Sequence, residues 1–546
     1  MGKKKAKKTK DESSMSISDD QKKPKKAKKQ KKEKQASSPK AKPVTPVMKV
    51  IDKKAIVDQH FPNRGQYHIC SDSDNDFNGK FFSCTLNKSD LDKNNNKFYI
   101  IQLLEHDVSH ELVLFTRWGR VGVPGVHEEK DVDTTSGPKL FMRKYKDKIK
   151  HGYQEIFIDY EAEVKDDQPK KDLKISSSKK KFKNYLNPDV MELISLIYNK
   201  KMINDNLHEI GYDSQKMPLG KLSPVTLTNG LNILKEIESE LKSKKPNHEN
   251  LKKFSSEFYT QIPHNFGFQK MSNFIIDTID KVKEKIDMIS VLSDMKITLK
   301  ILESVGEEKT EEEYENSEEK QIHDYYKQLN CDIRSISPTE EIFSILNKYL
   351  TARTDKNDSD NFGSYYSYRN KLSLIKAFEL NRKGETEKFK NELGNKKLLW
   401  HGSRITNFVG ILSQGLRIAP PEAPSSGYLY GKGVYFADMA QKSSMYCYPV
   451  NNVALILLGE VALGKEDQRT SCDFNLPKTM KSGTDSVHAL GRLEPDGGTY
   501  INGNVFVPNE NAKINEKNQL CNDYAEYIVY NVDQIKLRYL LKIRYG

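Results

Sequence analysis

The chain has 546 residues, of which 36% are hydrophobic and 30% charged, with a net charge of +13. That length accommodates about three or four domains, and so low an apolar fraction requires tails or linkers that dilute the packed parts. No apolar run reaches the roughly 18 residues of a membrane-spanning helix, and no signal-peptide apolar segment is seen.

Residues 1–50 carry 18 lysines and no arginine against five acids, a surplus that equals that of the whole chain. The basic character is therefore a property of the tail. With almost nothing apolar to bury, residues 1–50 are expected to be a disordered Lys-rich tail. Runs such as Lys22-Lys23-Pro24-Lys25-Lys26 read as a nuclear-import signal or a nucleic-acid arm, and a nuclear location follows. The six cysteines form no C-x-x-C pair, which favours free thiols in a reducing compartment over disulfides or a zinc site.

Residues 51–165 form the first expected globular unit. Phe98 to Leu104 and Leu112 to Trp118 are rich in β-branched and aromatic residues and read as strands. Gly119, Gly122 and Gly125 then read as a turn-rich loop, and Lys139 to Lys148 as a short helix. Residues 166–181 are a Lys, Asp and Ser linker. Across 182–308 the period becomes helical: Val190, Leu193, Ile194, Ile197 and Tyr198 fall at i, i+3, i+4, i+7 and i+8. Leu227 to Leu241 and Ile275 to Ile301 continue it, so an all-α domain is expected. An acidic linker at 309–319 precedes a mainly-β last domain, 320–546. The fold class is multidomain α+β.

The chemistry concentrates in that last domain. His401-Gly402-Ser403-Arg404 and Gly431-Lys432-Gly433-Val434-Tyr435 are joined downstream by Glu526-Tyr527-Ile528. A glycine after His401 permits close backbone approach to a ligand. Tyr435 and Tyr446 offer faces for a flat aromatic ring such as nicotinamide, and Ser443 a hydroxyl for its carboxamide. Breaking a ribose–nicotinamide bond creates an oxocarbenium-like centre, the electronic problem that glycosidases solve with carboxylates, and Glu526 is the natural group here.

These motifs, with Gln414 to Pro424 and Leu455 to Gly464, resemble the nuclear, DNA-dependent poly(ADP-ribose) polymerases almost continuously over 320–546. The resemblance implies NAD+ as substrate and no catalytic metal. It implies that His401, Tyr435 and Glu526 are catalytic. By it, His401 holds ribose hydroxyls, Gly402 and Ser443 the nicotinamide amide, and Tyr435 and Tyr446 the ring. Ser403 and Arg417 lie toward the adenosine end. A Glu at 526 favours polymer synthesis over transfer of one unit. Mono-ADP-ribosylation, and a non-catalytic DNA-end scaffold, are the competing readings.

Thr116-Arg117-Trp118-Gly119-Arg120 resembles the mixed α/β WGR domain of that family. There Trp118 would stack on an exposed sugar or base and Arg120 would grip phosphate. Gln215 to Ser223 resembles the signature of the helical regulatory domain, implying that 182–308 restrict NAD+ access until DNA binds. With no zinc-finger ligands, the chain looks like the short type of the family. DNA strand breaks, the chain itself and chromatin proteins are the implied partners, with no membrane. Acceptors are Glu, Asp or Ser; in that family a Ser preference depends on an accessory factor.

Overall fold

A computed structural model of the chain describes residues 56–72, 77, 81–157, 185–209, 222–307, 317–352, 372–425, 427–515 and 520–546. The Lys-rich tail, the 166–181 linker and residues 215–221 of the regulatory signature lie outside the described residues, as do residues 309–316 of the acidic linker.

The first unit is an antiparallel sheet in which Val126–Val132, Leu112–Arg120, Asn95–His106, Ser83–Asp90 and Gln154–Ile156 are neighbours in that order, with Tyr67–Ile69 also paired to Asn95–His106. Alternating apolar positions on Asn95–His106 and Leu112–Arg120 face the helix Ser136–Lys150, which buries Phe141. The edge strand Val126–Val132 is almost wholly exposed and carries four charges in seven residues, a composition that blunts edge-to-edge pairing. Gly119, expected to open a loop, instead lies inside the strand Leu112–Arg120; the turn begins after it, where Gly122 and Gly125 take positive φ.

The helical region consists of Pro188–Ile197, Lys200–Glu209, Pro224–Leu241, His248–Gln261 and Ile279–Glu307, followed by Ser317–Gln328. Starts are set by local chemistry: Asn187 and Ser223 accept hydrogen bonds from the first-turn N–H groups, each just ahead of a proline. The expected stripe Val190, Leu193, Ile194 and Ile197 is buried, and Tyr198 stacks on Tyr325 at 4.5 Å. The last helix takes in residues 317–319 of the expected acidic linker.

Two larger sheets form the C-terminal domain. One has seven strands in the order Thr499–Ile501, Val505–Val507, Lys396–Gly402, Val453–Ala462, Ile535–Tyr545, Leu372–Arg382 and Cys331–Ile336. The other has four: Val434–Phe436, Glu526–Val529, Ser486–Ala489 and Glu466–Arg469. A backbone bridge, Trp400 to Ala437, joins them. One apolar cluster runs through all three regions, including Phe98 and Ile100 of the first sheet, Ile194 and Leu234 of the helices, and Leu399, Leu457 and Leu540 of the large sheet.

Polar groups also cross the first boundary. Asn87 donates to the carbonyls of Tyr259 and Thr260 at 3.1 and 2.9 Å, and Asn96 donates to that of His264 at 2.7 Å. Both asparagines are fully buried, so these bonds cannot be exchanged for water without cost.

Candidate active site

The Trp400–Ala437 bridge sets the geometry of the cleft. It fixes the end of Lys396–Gly402 against the residue after Val434–Phe436, and the latter pairs Phe436 with Tyr527. His401, Tyr435 and Glu526, far apart in sequence, are thereby gathered where the two sheets meet.

His401 Nδ1 lies 2.9 Å from the Tyr435 carbonyl. A carbonyl only accepts, so Nδ1 carries the proton and Nε2 keeps its lone pair. Burial lowers the imidazole pKa against the opposing effect of that bond, and the ring stays neutral near pH 7. It is thus an acceptor suited to a ribose hydroxyl.

Gly402 is required by contact. A Cβ there would stand 1.8 Å from the carbonyl oxygen of Ser443. The helix Ala440–Ser444 therefore lies directly on the Gly402 backbone, and the Ser443 hydroxyl donates to Trp400 O at 3.0 Å. While donating there, that hydroxyl keeps lone pairs able to accept from a carboxamide N–H.

Tyr435 is held by its own loop. Its hydroxyl donates to Gly431 O at 2.7 Å and accepts from Tyr430 N–H at 2.9 Å. Gly431, with φ +72°, would place a Cβ 2.0 Å from Leu476 O, which explains the glycine there. Tyr446 is exposed. Its ring centroid lies 5.9 Å from Lys442 Nζ. Ser403 accepts from Asn407 Nδ2 at 3.0 Å.

Glu526 is 6% exposed and opens the strand Glu526–Val529. Its Oε1 lies 2.6 Å from Lys442 Nζ. Burial is the largest influence on that lysine and would lower its pKa, but the charge and hydrogen bond of Glu526 together with the neighbouring Tyr446 outweigh it and the net shift is upward. The ammonium is the counter-charge that lets a carboxylate sit in this buried place. Sequence reasoning missed Lys442. Its signal was faint, a lysine beside Ser443 on the short helix that must contact the His401 strand.

Behind Glu526 is a buried polar chain. Tyr527 Oη is 3.2 Å from Asp438 Oδ2, the Tyr527 ring stacks on His488 at 4.2 Å, and His488 Nδ1 is 3.0 Å from Glu466 Oε2. Burial pushes the Asp438 carboxyl up to about 6. The chain ties the Glu526 strand to the turn that leads into the Lys442 helix.

Arg417 pairs with Asp294 of the helix Ile279–Glu307. The same region is gripped elsewhere: Glu238 of Pro224–Leu241 accepts from Ser425 N–H and Ser425 Oγ, each at 3.1 Å. Arg404 donates to Glu209 at 3.0 Å. These contacts join the helices to segments flanking the cleft.

In the first unit, Trp118 is half-buried and stacks on Tyr99 with centroids 5.6 Å apart. Arg120 donates to Gly267 O at 2.7 Å and to Asn94 O at 3.1 Å. Its Nε and one terminal nitrogen are thus taken by carbonyls at the junction with the helices, while the other terminal nitrogen is buried without a hydrogen-bond partner. Among the described residues no cluster of three or more His, Cys, Asp or Glu could hold a metal, and no helix is long and apolar enough to cross a membrane.

The family model for the poly(ADP-ribose) polymerase catalytic domain matches residues 343–545, that for the regulatory domain matches 184–326, and that for the WGR domain matches 82–158. The chain is 36% identical over 505 residues to "Poly [ADP-ribose] polymerase 2-B" of Oryza sativa subsp. japonica, an alignment that spans 90% of this chain and 76% of that protein. This chain belongs to the poly(ADP-ribose) polymerase family. It is 34% identical over 488 residues to "Poly [ADP-ribose] polymerase 2" of Homo sapiens, covering 85% of this chain and 80% of the relative. Against "Poly [ADP-ribose] polymerase 1" of Xenopus laevis identity is 35%, over 86% of this chain but 46% of that protein. Family membership makes this chain an NAD+ ADP-ribosyltransferase with poly(ADP-ribose) polymerase activity, and it carries a WGR domain alongside the catalytic one.

Proposed function

We propose that the chain uses the cleft of His401, Tyr435 and Glu526 to cleave the nicotinamide–ribose bond of NAD+ and to build ADP-ribose polymer on itself and on chromatin proteins in the nucleus. The pairing of buried Glu526 with Lys442 carries this reading. A carboxylate paired with an ammonium there can stabilise positive charge at the ribose carbon and orient an acceptor hydroxyl as the bond to nicotinamide breaks. His401, neutral and presenting Nε2, would hold ribose hydroxyls. Gly402 and Ser443 would hold the amide, Tyr435 and Tyr446 the ring, with Ser403 and Arg417 toward the adenosine end.

The helices supply the restraint. Asp294 occupies Arg417, and Glu238 holds Ser425. The reading is that NAD+ gains the adenosine end only when DNA contact at Trp118 loosens these helices. The Lys tail adds electrostatic attraction to DNA, and each ADP-ribose unit added to the chain brings two phosphate charges that oppose it. Modification of serine acceptors would require an accessory factor.

Glu526→Gln tests the reading. With a broken-duplex DNA and labelled NAD+, polymer ladders should disappear while DNA affinity stays within about twofold, an energetic change below about 0.5 kcal/mol. Long polymer made by the variant would refute the role of Glu526.

A further inference from the structure

Two cysteines 49 positions apart in sequence meet beside the catalytic strand. Sγ of Cys472, in the loop after Glu466–Arg469, is 3.3 Å from Sγ of Cys521, which stands just before the strand Asn522–Tyr524 and five residues before Glu526. Cys521 is exposed and Cys472 half-buried, whereas Cys84, Cys331 and Cys447 are buried. A disulfide requires about 2.05 Å between sulfurs, so the two must approach by roughly a further 1.3 Å, a movement within the reach of side-chain rotation and a small loop shift.

The surroundings divide the roles. Burial, together with the neighbouring Cys521 thiol, pushes Cys472 up to about 11, whereas Cys521 is open to solvent. Cys521 is therefore the thiol that a soluble oxidant reaches first, and Cys472 the one that resolves it. Once Cys521 is oxidised, its share of the upward push on Cys472 falls away. The pair is also wired to the active-site loop: Tyr430 Oη is 3.2 Å from Cys521 Sγ and accepts from Asn522 Nδ2 at 2.7 Å, and Tyr430 N–H donates to the Tyr435 hydroxyl.

We propose that Cys472 and Cys521 are a redox-active dithiol that hydrogen peroxide converts to a disulfide, stapling the 472 loop to the segment that leads into Glu526 and slowing turnover. The Cys521 thiolate attacks peroxide, breaking its O–O bond to give a sulfenic acid and hydroxide. The Cys472 thiolate then attacks the Cys521 sulfur, forming S–S and expelling a second hydroxide. The two thiol protons convert both hydroxides to water, and two electrons pass from the sulfurs to peroxide. A small thiol such as dithiothreitol reverses the change by exchange.

The full chain is treated with hydrogen peroxide, alkylated and digested without reduction, and DNA-stimulated nicotinamide release is measured in parallel. A peptide cross-linked through Cys472 and Cys521 is expected, with release slowed at least twofold and restored by dithiothreitol. The Cys472→Ser variant should instead retain a sulfenic acid at Cys521 that dimedone traps. Absence of the cross-linked peptide from the folded chain, or a peroxide response equal in wild type and in the Cys472→Ser, Cys521→Ser double variant, would overturn the proposal.

Discussion

At the scale of single residues, the site depends on paired constraints more than on isolated groups. Lys442 and Glu526 hold one another in a place where either alone would be poorly solvated. Lys442→Met should leave the carboxylate without its counter-charge and cost up to about 3 kcal/mol of stability. Thermal melting of the two chains at one pH would check it. Gly402→Ala is a different kind of test. Its Cβ meets a backbone oxygen at 1.8 Å, so the Lys442 helix must shift and nicotinamide release should fall at least tenfold at unchanged DNA affinity. Full activity would show that the close approach is dispensable.

His401, Tyr435 and Glu526 could be read from the sequence because each sits in its own short motif. Lys442 could not, because its meaning comes from a partner 84 positions away that reaches it only through strand pairing. The same holds for Arg120: its motif announced an arginine, but the carbonyls it serves lie in another region of the chain.

Among the elements, the helix Ile279–Glu307 and the end of His248–Gln261 have the most consequence. The latter leads into His264, which sits among Phe258, Tyr259 and Phe266 and donates from Nδ1 to Ile262 O at 2.7 Å. Burial, reinforced by Lys285, lowers its pKa to about 3. Unfolding releases the ring to a pKa near 6.5, so the unfolded chain binds more protons below that pH. Stability from the neutral ring is complete above about 6.5 and is lost as pH falls toward 3. The wild type should lose up to about 1.4 kcal/mol per pH unit more than His264→Phe across this window. Denaturant titrations at pH 7 and pH 5 would measure it; parallel slopes for the two chains would count against a buried neutral histidine. Helical stripes such as Val190 to Ile197 were legible because their period is local. That the helices also grip Ser425 and Arg417 was not, since a carboxylate such as Glu238 or Asp294 on a helix face reads as solvated until its partner is known.

For the molecule as a whole, the shared apolar cluster matters most. A sequence shows which residues will be buried, but burial against a neighbouring domain looks the same as burial within one. The structure shows one cluster running from the first sheet through the helices to the seven-stranded sheet, with fully buried Asn87 and Asn96 bonded across the first boundary. Such a core transmits displacement because close-packed interiors do not deform smoothly. It also means that removal of the helices would expose apolar surface, so the restraint is better tested by substitution. The direct measurement is nicotinamide release by the full chain carrying Asp294→Ala and Glu238→Gln, with and without a blunt-ended duplex. If the helices restrain the site, release without DNA should rise at least tenfold over wild type and the duplex should add little. A basal rate equal to wild type with stimulation by DNA undiminished would contradict the account.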